Sequence, residues 1–521
     1  MVTSKTLQLL VLALVFSNLM VGQAKHSDVT KPNIVIIYTD DQGYGDVGAL
    51  NPEAKFKTPN MDKIANEGII FTDGHSSDAV CTPSRYSLLT GRYSWRTSLK
   101  KNVLRADGPC LIEKDRMTIG SLLQAQGYQT AMVGKWHLQM EFEGERGKNR
   151  DWSKPFKEGP IEHGFDYFFG IPASMNYGIL TYLENDRVLE PPTLWTKKKM
   201  DVTPRTYRMT PPYQDEKQKG FVEVAPSFND ELVLETITNK AVEYINTASK
   251  KEKPFFLYFP LTSPHLPHAT HPDFQGKSNC GNYGDFMQET DYRVGQVLDA
   301  LKANGVEENT LVIFSSDNGA ESNYIYQRDT YNHYSNLIFK GGKRDIYEGG
   351  HRVPFLMRWP NIIKAGGVVK TPVSQTDYLA TIADIVGASF PDSAGEDSFS
   401  LYNYMKNPTS KLDTDRPVIQ HSFTGHFAIR QGQWKLNMLR GSGGSLEPVL
   451  IEPKAGEAIY ELYDMVNDPG ETKNLYFQHP EIVKTMTKTI SEIINTGRST
   501  KGKPQPFIKD NWEQVTWMSL K

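Results

Sequence analysis

A cysteine, a proline two places on and an arginine four places on open the segment Cys81-Thr82-Pro83-Ser84-Arg85, which continues as Tyr86-Ser87-Leu88-Leu89-Thr90-Gly91-Arg92. These residue types at this spacing make a compact site for an anion. Pro83 suits the first turn of a helix, where its missing N–H costs nothing, and Ser84 to Thr90 can run on as that helix with Arg85 in its first turn. A helix N-terminus presents N–H groups and a positive dipole end to an anion at Cys81. Arg85 adds a fixed charge whose fork matches a tetrahedral oxyanion.

Two further pairs point to a cation. Asp40 and Asp41 follow the β-branched run Asn33-Ile34-Val35-Ile36-Ile37-Tyr38 closely, and Asp317 and Asn318 directly follow Thr310 to Ser316. Both runs read as strands buried on both faces. The pairs therefore lie at strand C-terminal ends, where open α/β sheets bind ligands. Three carboxylates and one amide form a hard oxygen shell that suits Ca²⁺ and, less well, Mg²⁺. Imidazoles and lysines follow other strands. Gly134-Lys135-Trp136-His137-Leu138 comes after Tyr128 to Val133, and Ser263-Pro264-His265-Leu266-Pro267-His268 after Pro254 to Phe259. Lys343 stands five residues before Glu348-Gly349-Gly350-His351-Arg352-Val353-Pro354.

The pattern C-x-P-S-R followed by x-x-x-L-T-G-R resembles the signature of type I sulfatases, within the alkaline-phosphatase-like superfamily. The resemblance runs from Pro32 to Leu475. It takes in the G-K-W-H-L segment at 134–138, the G-K spacing before Y-E-G-G, and Glu461-Leu462-Tyr463-Asp464 with Asp468-Pro469, Glu471 and Asn474-Leu475. It implies that Cys81 is converted to formylglycine by a formylglycine-generating or anaerobic sulfatase-maturating enzyme. It also implies that Asp40, Asp41, Asp317 and Asn318, with residue 81, hold one Ca²⁺ ion. Arg85, Lys135 and Lys343 would neutralise sulfate oxygens, with Lys343 chosen over Lys340 on spacing. Asp317 would lie near the attacking hydroxyl, His265 would protonate the leaving alcohol, and His137 would be the base for sulfate release. Ser174 matches a family serine near the sulfate, and His268 is a subsite or supporting residue. In that chemistry a serine nucleophile would leave a stable serine sulfate, whereas the hydrated aldehyde has a second hydroxyl whose proton loss expels sulfate.

The elements that must position these residues follow from the patterning. The helices expected over Asn60–Gly68, Thr118–Gly127, 229–247 and Phe286–Ala303 alternate with the buried strands, which implies an α/β fold with a large, mostly parallel sheet covered on both faces. After about residue 395 come short strands at 418–421, 427–431, 434–438 and 458–464, then an amphipathic helix over 481–495. The expected organisation is a leader over 1–24, a catalytic α/β domain over 25–395 and a C-terminal antiparallel sheet with a packed helix over 396–521. Between 140 and 220 the pattern fades into a stretch with Lys197-Lys198-Lys199, Arg205 and Arg208. It reads as a solvated insertion or as a substrate-facing insert that attracts a polyanion.

The chain has 521 residues, 38% hydrophobic and 23% charged, with a formal net charge of −3. Nothing there favours nucleic acid as a partner. Lys5, the apolar run Leu9 to Phe16 and Gly22-Gln23-Ala24 read as a signal peptide rather than a membrane anchor, because the run falls short of the ~20 residues that a span needs. An exported protein, periplasmic or secreted, follows. No Asn-x-Ser/Thr acceptor occurs, which favours a bacterial source. Of the three cysteines, Cys110 and Cys280 could pair if Cys81 is modified. Rival readings are a phosphoester or phosphonate hydrolase on the same scaffold, a small aryl sulfate as the true substrate, and a glycan-binding protein built on a decayed sulfatase. The basic insert favours a sulfated oligo- or polysaccharide.

Overall fold

The structure, a computed structural model, describes residues 31–200, 207–410, 416–510 and 512–518. The expected leader and Arg205 lie outside the described residues. The main sheet is built from β1 (Asn33–Asp40), β2 (Ile69–Phe71), β3 (Gln129–Lys135), β4 (Tyr167–Ile171), β5 (Phe255–Pro264), β6 (Thr310–Ser316), β7 (Phe355–Arg358) and β8 (Gly367–Val369). Their spatial order is β8-β2-β7-β6-β1-β5-β3-β4, extended by two short strands at Leu183–Glu184 and Arg187–Val188. The centre, β6-β1-β5-β3-β4, is parallel throughout, and β7 inserts antiparallel between β6 and β2. A parallel sheet must be buried on both faces, and the alternation along β1 shows it. Ile34, Ile36 and Tyr38 enter one core, with α2 (Cys81–Thr90), α3 (Ile119–Ala125) and α6 (Tyr378–Val386). Val35 and Ile37 enter the other, with α1 (Pro59–Asn66), α4 (Val233–Ala248) and α5 (Gly281–Ala303).

This geometry decides the cysteine question. Cys280 belongs to the second core, while Cys110 packs against the first, so the sheet separates them; both are free thiols. A disulfide between them would need Cα atoms within ~7 Å.

The C-terminal sheet is β9 (Val418–His421), β10 (Phe427–Gln431), β11 (Trp434–Asn437) and β12 (Glu461–Asp464), antiparallel in that order. One face buries Ile419, Ile429, Leu436 and Leu462 against Met486, Ile490, Ile493 and Ile494 of α7 (Pro480–Thr496), and against Tyr93 and Trp95 just beyond α2. A buried charge network ties this sheet to the turn that precedes β7. Lys435 lies 3.1 Å from Glu348 and 2.8 Å from Glu471, with all three side chains fully buried. Replacing Lys435 with Met should leave Glu471 buried without its counter-charge and Glu348 with Arg352 alone among the described residues, at 3.0 Å, and destabilise the protein by about 3–5 kcal/mol. Denaturant unfolding measures this, and an unchanged midpoint would rule the network out as a structural tie.

In the stretch where the sequence pattern fades, the structure forms short antiparallel ribbons, Leu194–Thr196 with Val222–Val224 and Lys199–Met200 with Tyr207–Arg208. Trp195, Tyr207 and Tyr213 give them an aromatic surface over which lysine side chains lie. The Lys198 Nζ is 4.5 Å from the Tyr207 ring centroid and the Lys199 Nζ 5.7 Å from that of Tyr213.

Candidate active site

Helix α2 begins at Cys81, three residues earlier than the sequence suggests, so Pro83 lies within its first turn. Its ten residues are all buried, and Gly91 ends it in the left-handed conformation at φ +63. Val80, the residue before the first turn, provides no side-chain cap, so the positive end of the helix is directed at the surroundings of Cys81. The Cys81 Sγ lies 3.4 Å from Asp40 Oδ1. Burial, reinforced by the charge of Asp317, pushes its thiol well above the ordinary value. An unmodified Cys81 is therefore a thiol and a poor nucleophile.

The C-terminal ends of β1 and β6 deliver three carboxylates to this point. Asp40 ends β1, Asp41 turns away at φ +69, and its N–H donates to Asp317 Oδ1 at 3.1 Å. The Asn318 amide donates to Asp41 Oδ1 at 2.8 Å. Three cations answer the three carboxylates. Arg85 donates through Nη2 to Asp317 Oδ2 at 2.7 Å and through Nε to the same oxygen at 3.1 Å. The Lys135 Nζ lies 2.6 Å from Asp40 Oδ2, and the Lys343 Nζ 2.7 Å from Asp41 Oδ1. Burial raises Asp317 and Asp41 above the usual carboxylate range; the charge of Asp40 adds to this at Asp317, and Lys343 opposes it at Asp41. Burial acts on Asp40 as well, but Lys135, Arg85 and Lys343 together hold it below that range.

Two close approaches make this convergence possible. Gly134, just before Lys135, has φ +137, and a Cβ there would lie 1.9 Å from Pro260 O; any side chain would push β3 off β5. Gly319, just after Asn318, faces Gly349 O at 1.8 Å from its would-be Cβ. The loop carrying Asp317 and Asn318 can thus rest on the Glu348–Gly350 turn that follows Lys343.

The oxygen set fits a divalent cation. Asn318 Oδ1 is buried and has no hydrogen-bond partner among the described residues. Ligand atoms of Asp40, Asp41, Cys81 and His265 lie within 4.8 Å of one another. A set of carboxylates and an amide oxygen, with one acceptor left open, suits a hard ion.

Two histidines flank this cluster. His137 sits at φ +59, and its Nε2 lies 3.0 Å from Leu104 O. A carbonyl accepts, so Nε2 carries the proton. Nδ1 keeps its lone pair and has no partner among the described residues. Burial, then the charges of Lys135 and Arg85, lower its basicity well below the usual value. In His265, Nδ1 lies 2.5 Å from Leu266 O, and Nε2 is 3.7 Å from Asp41 Oδ2. Burial and Lys343 press its pKa down to about 3. Both imidazoles are therefore neutral near pH 7.

The remaining sequence candidates are placed as follows. Ser174 follows β4 on the segment whose Pro172 O accepts from the His137 N–H; its hydroxyl is buried with no partner among the described residues. His268 lies against Tyr283 and Phe286, with Nε2 3.3 Å from the Asn323 amide. Lys340 turns away and lies 3.7 Å above the Tyr347 ring, leaving Lys343 at Asp41. Sequence reasoning missed three residues. The Tyr177 ring lies 4.9 Å from that of His137, and Glu321 and Arg344 form an ion pair next to Lys343. Adjacency to Asn318 and Lys343 was the only available signal for the last two.

The family model described as Sulfatase matches residues 32–388, and that described as N-sulphoglucosamine sulphohydrolase, C-terminal, matches residues 339–496. The chain is 31% identical over 490 residues to an N-acetylgalactosamine-6-O-sulfatase of Bacteroides thetaiotaomicron, over 89% of this chain and 93% of the relative. It is 32% identical over 455 residues to human arylsulfatase A, over 85% and 83%. A solved structure from work on the metabolism of multiple glycosaminoglycans by Bacteroides thetaiotaomicron aligns with a TM-score of 0.75 and 29% identity, over 89% of this chain and 99% of the other. A Pseudoalteromonas sp. sulfatase aligns with a TM-score of 0.69 and 25% identity, over 95% of each chain. The chain belongs to the sulfatase family. It is a sulfuric ester hydrolase, on the α/β architecture that this family shares.

Proposed function

We propose that this enzyme removes sulfate from a sulfated carbohydrate, with residue 81 as nucleophile once Cys81 has been converted to formylglycine. The observation that carries the proposal is the placement of Cys81 at a buried helix N-terminus, 3.4 Å from Asp40 and ringed by Arg85, Lys135 and Lys343. Burial makes the unmodified thiol unreactive, which favours a modified side chain there. The formylglycine supplies, when present, a hydroxyl nucleophile and a route to sulfate release. Asp40, Asp41, Asp317 and Asn318, with residue 81, would hold a Ca²⁺ ion, which supplies Lewis-acid stabilisation of oxygen charge.

The chain's own residues do the rest. Arg85, Lys135 and Lys343 compensate Asp317, Asp40 and Asp41 one for one. A divalent cation would therefore leave the pocket positive before substrate arrives, which favours an incoming sulfate monoester anion. Lys135 and Lys343, whose ammonium groups rotate among three donors, are the groups to follow sulfate oxygens as charge develops. His265 serves as acid at Nε2. It is neutral in the free site because of burial and Lys343, and a bound anion offsets Lys343 and favours its protonation. His137 serves as base at Nδ1, because its Nε2 proton is committed to Leu104 O. Ser174, whose buried hydroxyl has no partner among the described residues, would be a sulfate-side contact.

The sugar substrate is supported by the relatives, one of which is an N-acetylgalactosamine-6-O-sulfatase. Among the described residues, no helix is long and apolar enough to cross a membrane. With the leader read from residues 1–24, export to the periplasm or beyond is the reading, and a maturation enzyme is the required partner. Residues 25–395 would form the catalytic domain and 396–521 a supporting subdomain.

The test measures sulfate release from defined sulfated saccharides and from 4-nitrophenyl sulfate. His265→Ala should slow sugar sulfates by roughly 10²–10⁴-fold and the aryl ester much less, because a phenolate leaves without a proton. His137→Ala should slow both substrates alike. Wild-type enzyme that releases sulfate from the aryl ester but from no saccharide would overturn the carbohydrate reading. Equal losses on both substrates for His265→Ala would remove it as the acid.

A further inference from the structure

Next to Lys343 the chain makes an abrupt change of direction. Lys343 points inward with 4% of its side chain exposed, whereas Arg344 keeps 29% exposed. Arg344 sits at φ +84, a conformation that costs a non-glycine residue about 1–3 kcal/mol. Three contacts hold it there. Its N–H donates to Ala79 O at 2.7 Å, and its carbonyl accepts from the Phe423 N–H at 3.0 Å. Gly444 packs so closely that a Cβ would lie 2.3 Å from Arg344 O. Ala79 is two residues before Cys81, so the strained backbone is anchored to the segment that delivers the nucleophile.

The side chain is pinned as firmly. Arg344 Nη1 and Nη2 donate to Glu321 Oε1 and Oε2 at 2.6 and 2.9 Å. Glu321 Oε1 also accepts from the Ser322 N–H at 2.7 Å, and Oε2 lies 3.6 Å from the Lys343 Nζ. Glu321 comes three residues after Asn318. A guanidinium and a carboxylate are thus held by two parallel contacts, on the two segments that also supply Lys343 and Asn318. Arg344 lies within electrostatic reach of Asp41, Cys81 and Tyr177.

We propose that Arg344 and Glu321 read the sugar ring that carries the sulfate ester, the guanidinium donating to its hydroxyls and the carboxylate accepting from them. This rests on the carbohydrate reading above. The pair is internally compensated, so it does not suit a second anion, which would meet Glu321. It retains the guanidinium Nε–H and outer N–H donors and unused carboxylate lone pairs, and a hydroxyl, both donor and acceptor, satisfies both. Because the pair is preorganised, little side-chain entropy is lost on binding. The strained backbone keeps the fork next to the sulfate-side lysine, where a ring one or two bonds from the ester oxygen must lie.

Two variants test this. Arg344→Gly removes the fork and relieves the positive φ, which offsets part of the cost of leaving Glu321 with Lys343, at 3.6 Å, as its remaining counter-charge; Glu321→Gln weakens the acceptor. Each should raise KM roughly ten- to a hundredfold for sulfated mono- and disaccharides, beginning with N-acetylgalactosamine 6-sulfate. Each should leave kcat/KM for 4-nitrophenyl sulfate, which has no ring hydroxyls, within about threefold, and Arg344→Gly should still unfold in one cooperative transition. Saccharide turnover by wild type, with variants unchanged or equally impaired on both substrates, would overturn this inference and leave the carbohydrate reading standing. Wild type that hydrolyses only the aryl ester would overturn both.

Discussion

Replacing Cys81 with Ala should lower turnover of every sulfate ester by roughly a thousandfold or more, because the nucleophile is lost while the rest of the site survives. The side chain is small and buried at the first position of α2, in a helix whose ten residues are all buried. Removing one sulfur atom leaves that packing largely intact, so the loss should appear in kcat and not in the unfolding midpoint. Cys81→Ser makes a sharper test. Serine supplies a hydroxyl in the same place but no second one to expel sulfate, so it should give at most one slow turnover. The wild-type chain produced without a maturation enzyme should behave like Cys81→Ala, since burial and Asp317 keep the thiol protonated. Peptide mapping of active enzyme should find an aldehyde at position 81. Full activity from a preparation in which Cys81 is entirely a free thiol would refute the mechanism.

Chelation of divalent metal should abolish activity and lower the unfolding midpoint, and Ca²⁺ should restore both. Asp40, Asp41 and Asp317 are fully buried, and burial raises two of them above the usual carboxylate range. Asn318 Oδ1 is buried with no partner among the described residues. A bound cation relieves that cost and contributes stability that grows with its concentration, about 2.7 kcal/mol at a hundredfold excess over Kd. Asp317→Ala should remove metal binding and activity together. It also takes away the carboxylate held by Arg85 at 2.7 Å, leaving that guanidinium the Lys135 carbonyl at 3.3 Å and Asp40, at 3.7 Å, as its counter-charge among the described residues. Elemental analysis reads the ion directly, at one per chain. Full activity of demonstrably metal-free enzyme would eliminate the cation from the reaction.

Some of this was legible locally. The continuous runs at 33–38 and 310–316 read as buried strands because a parallel strand covered on both faces needs no polar alternation, and both lie in the strands found at the sheet centre. Acidic pairs after such strands point to a ligand end of the sheet for the same reason. The weaker patterning at 140–220 hid β4, a parallel strand of the main sheet, and several two- and three-residue strands, which bury too little to impose a period of two. The early start of α2 was missed because Val80 gives no capping signal.

The amino-acid sequence by itself determined the chemical parts of this enzyme: the Cys81–Arg85 motif, the two acidic pairs, and the strands and helices that carry them. These are written in residue type and short-range spacing, which local sterics and burial convert into elements. The tertiary structure alone decided what meets what. Lys343 reaches Asp41 across 302 positions of chain, and Arg85 reaches Asp317 across 232. Sheet register sets those distances, together with glycine contacts at 134 and 319 that no local pattern encodes. It also placed Cys110 and Cys280 on opposite faces of the sheet and held Arg344 against Glu321 near Cys81. Each of these depends on long-range packing, in which the partner's position matters as much as the residue's own identity.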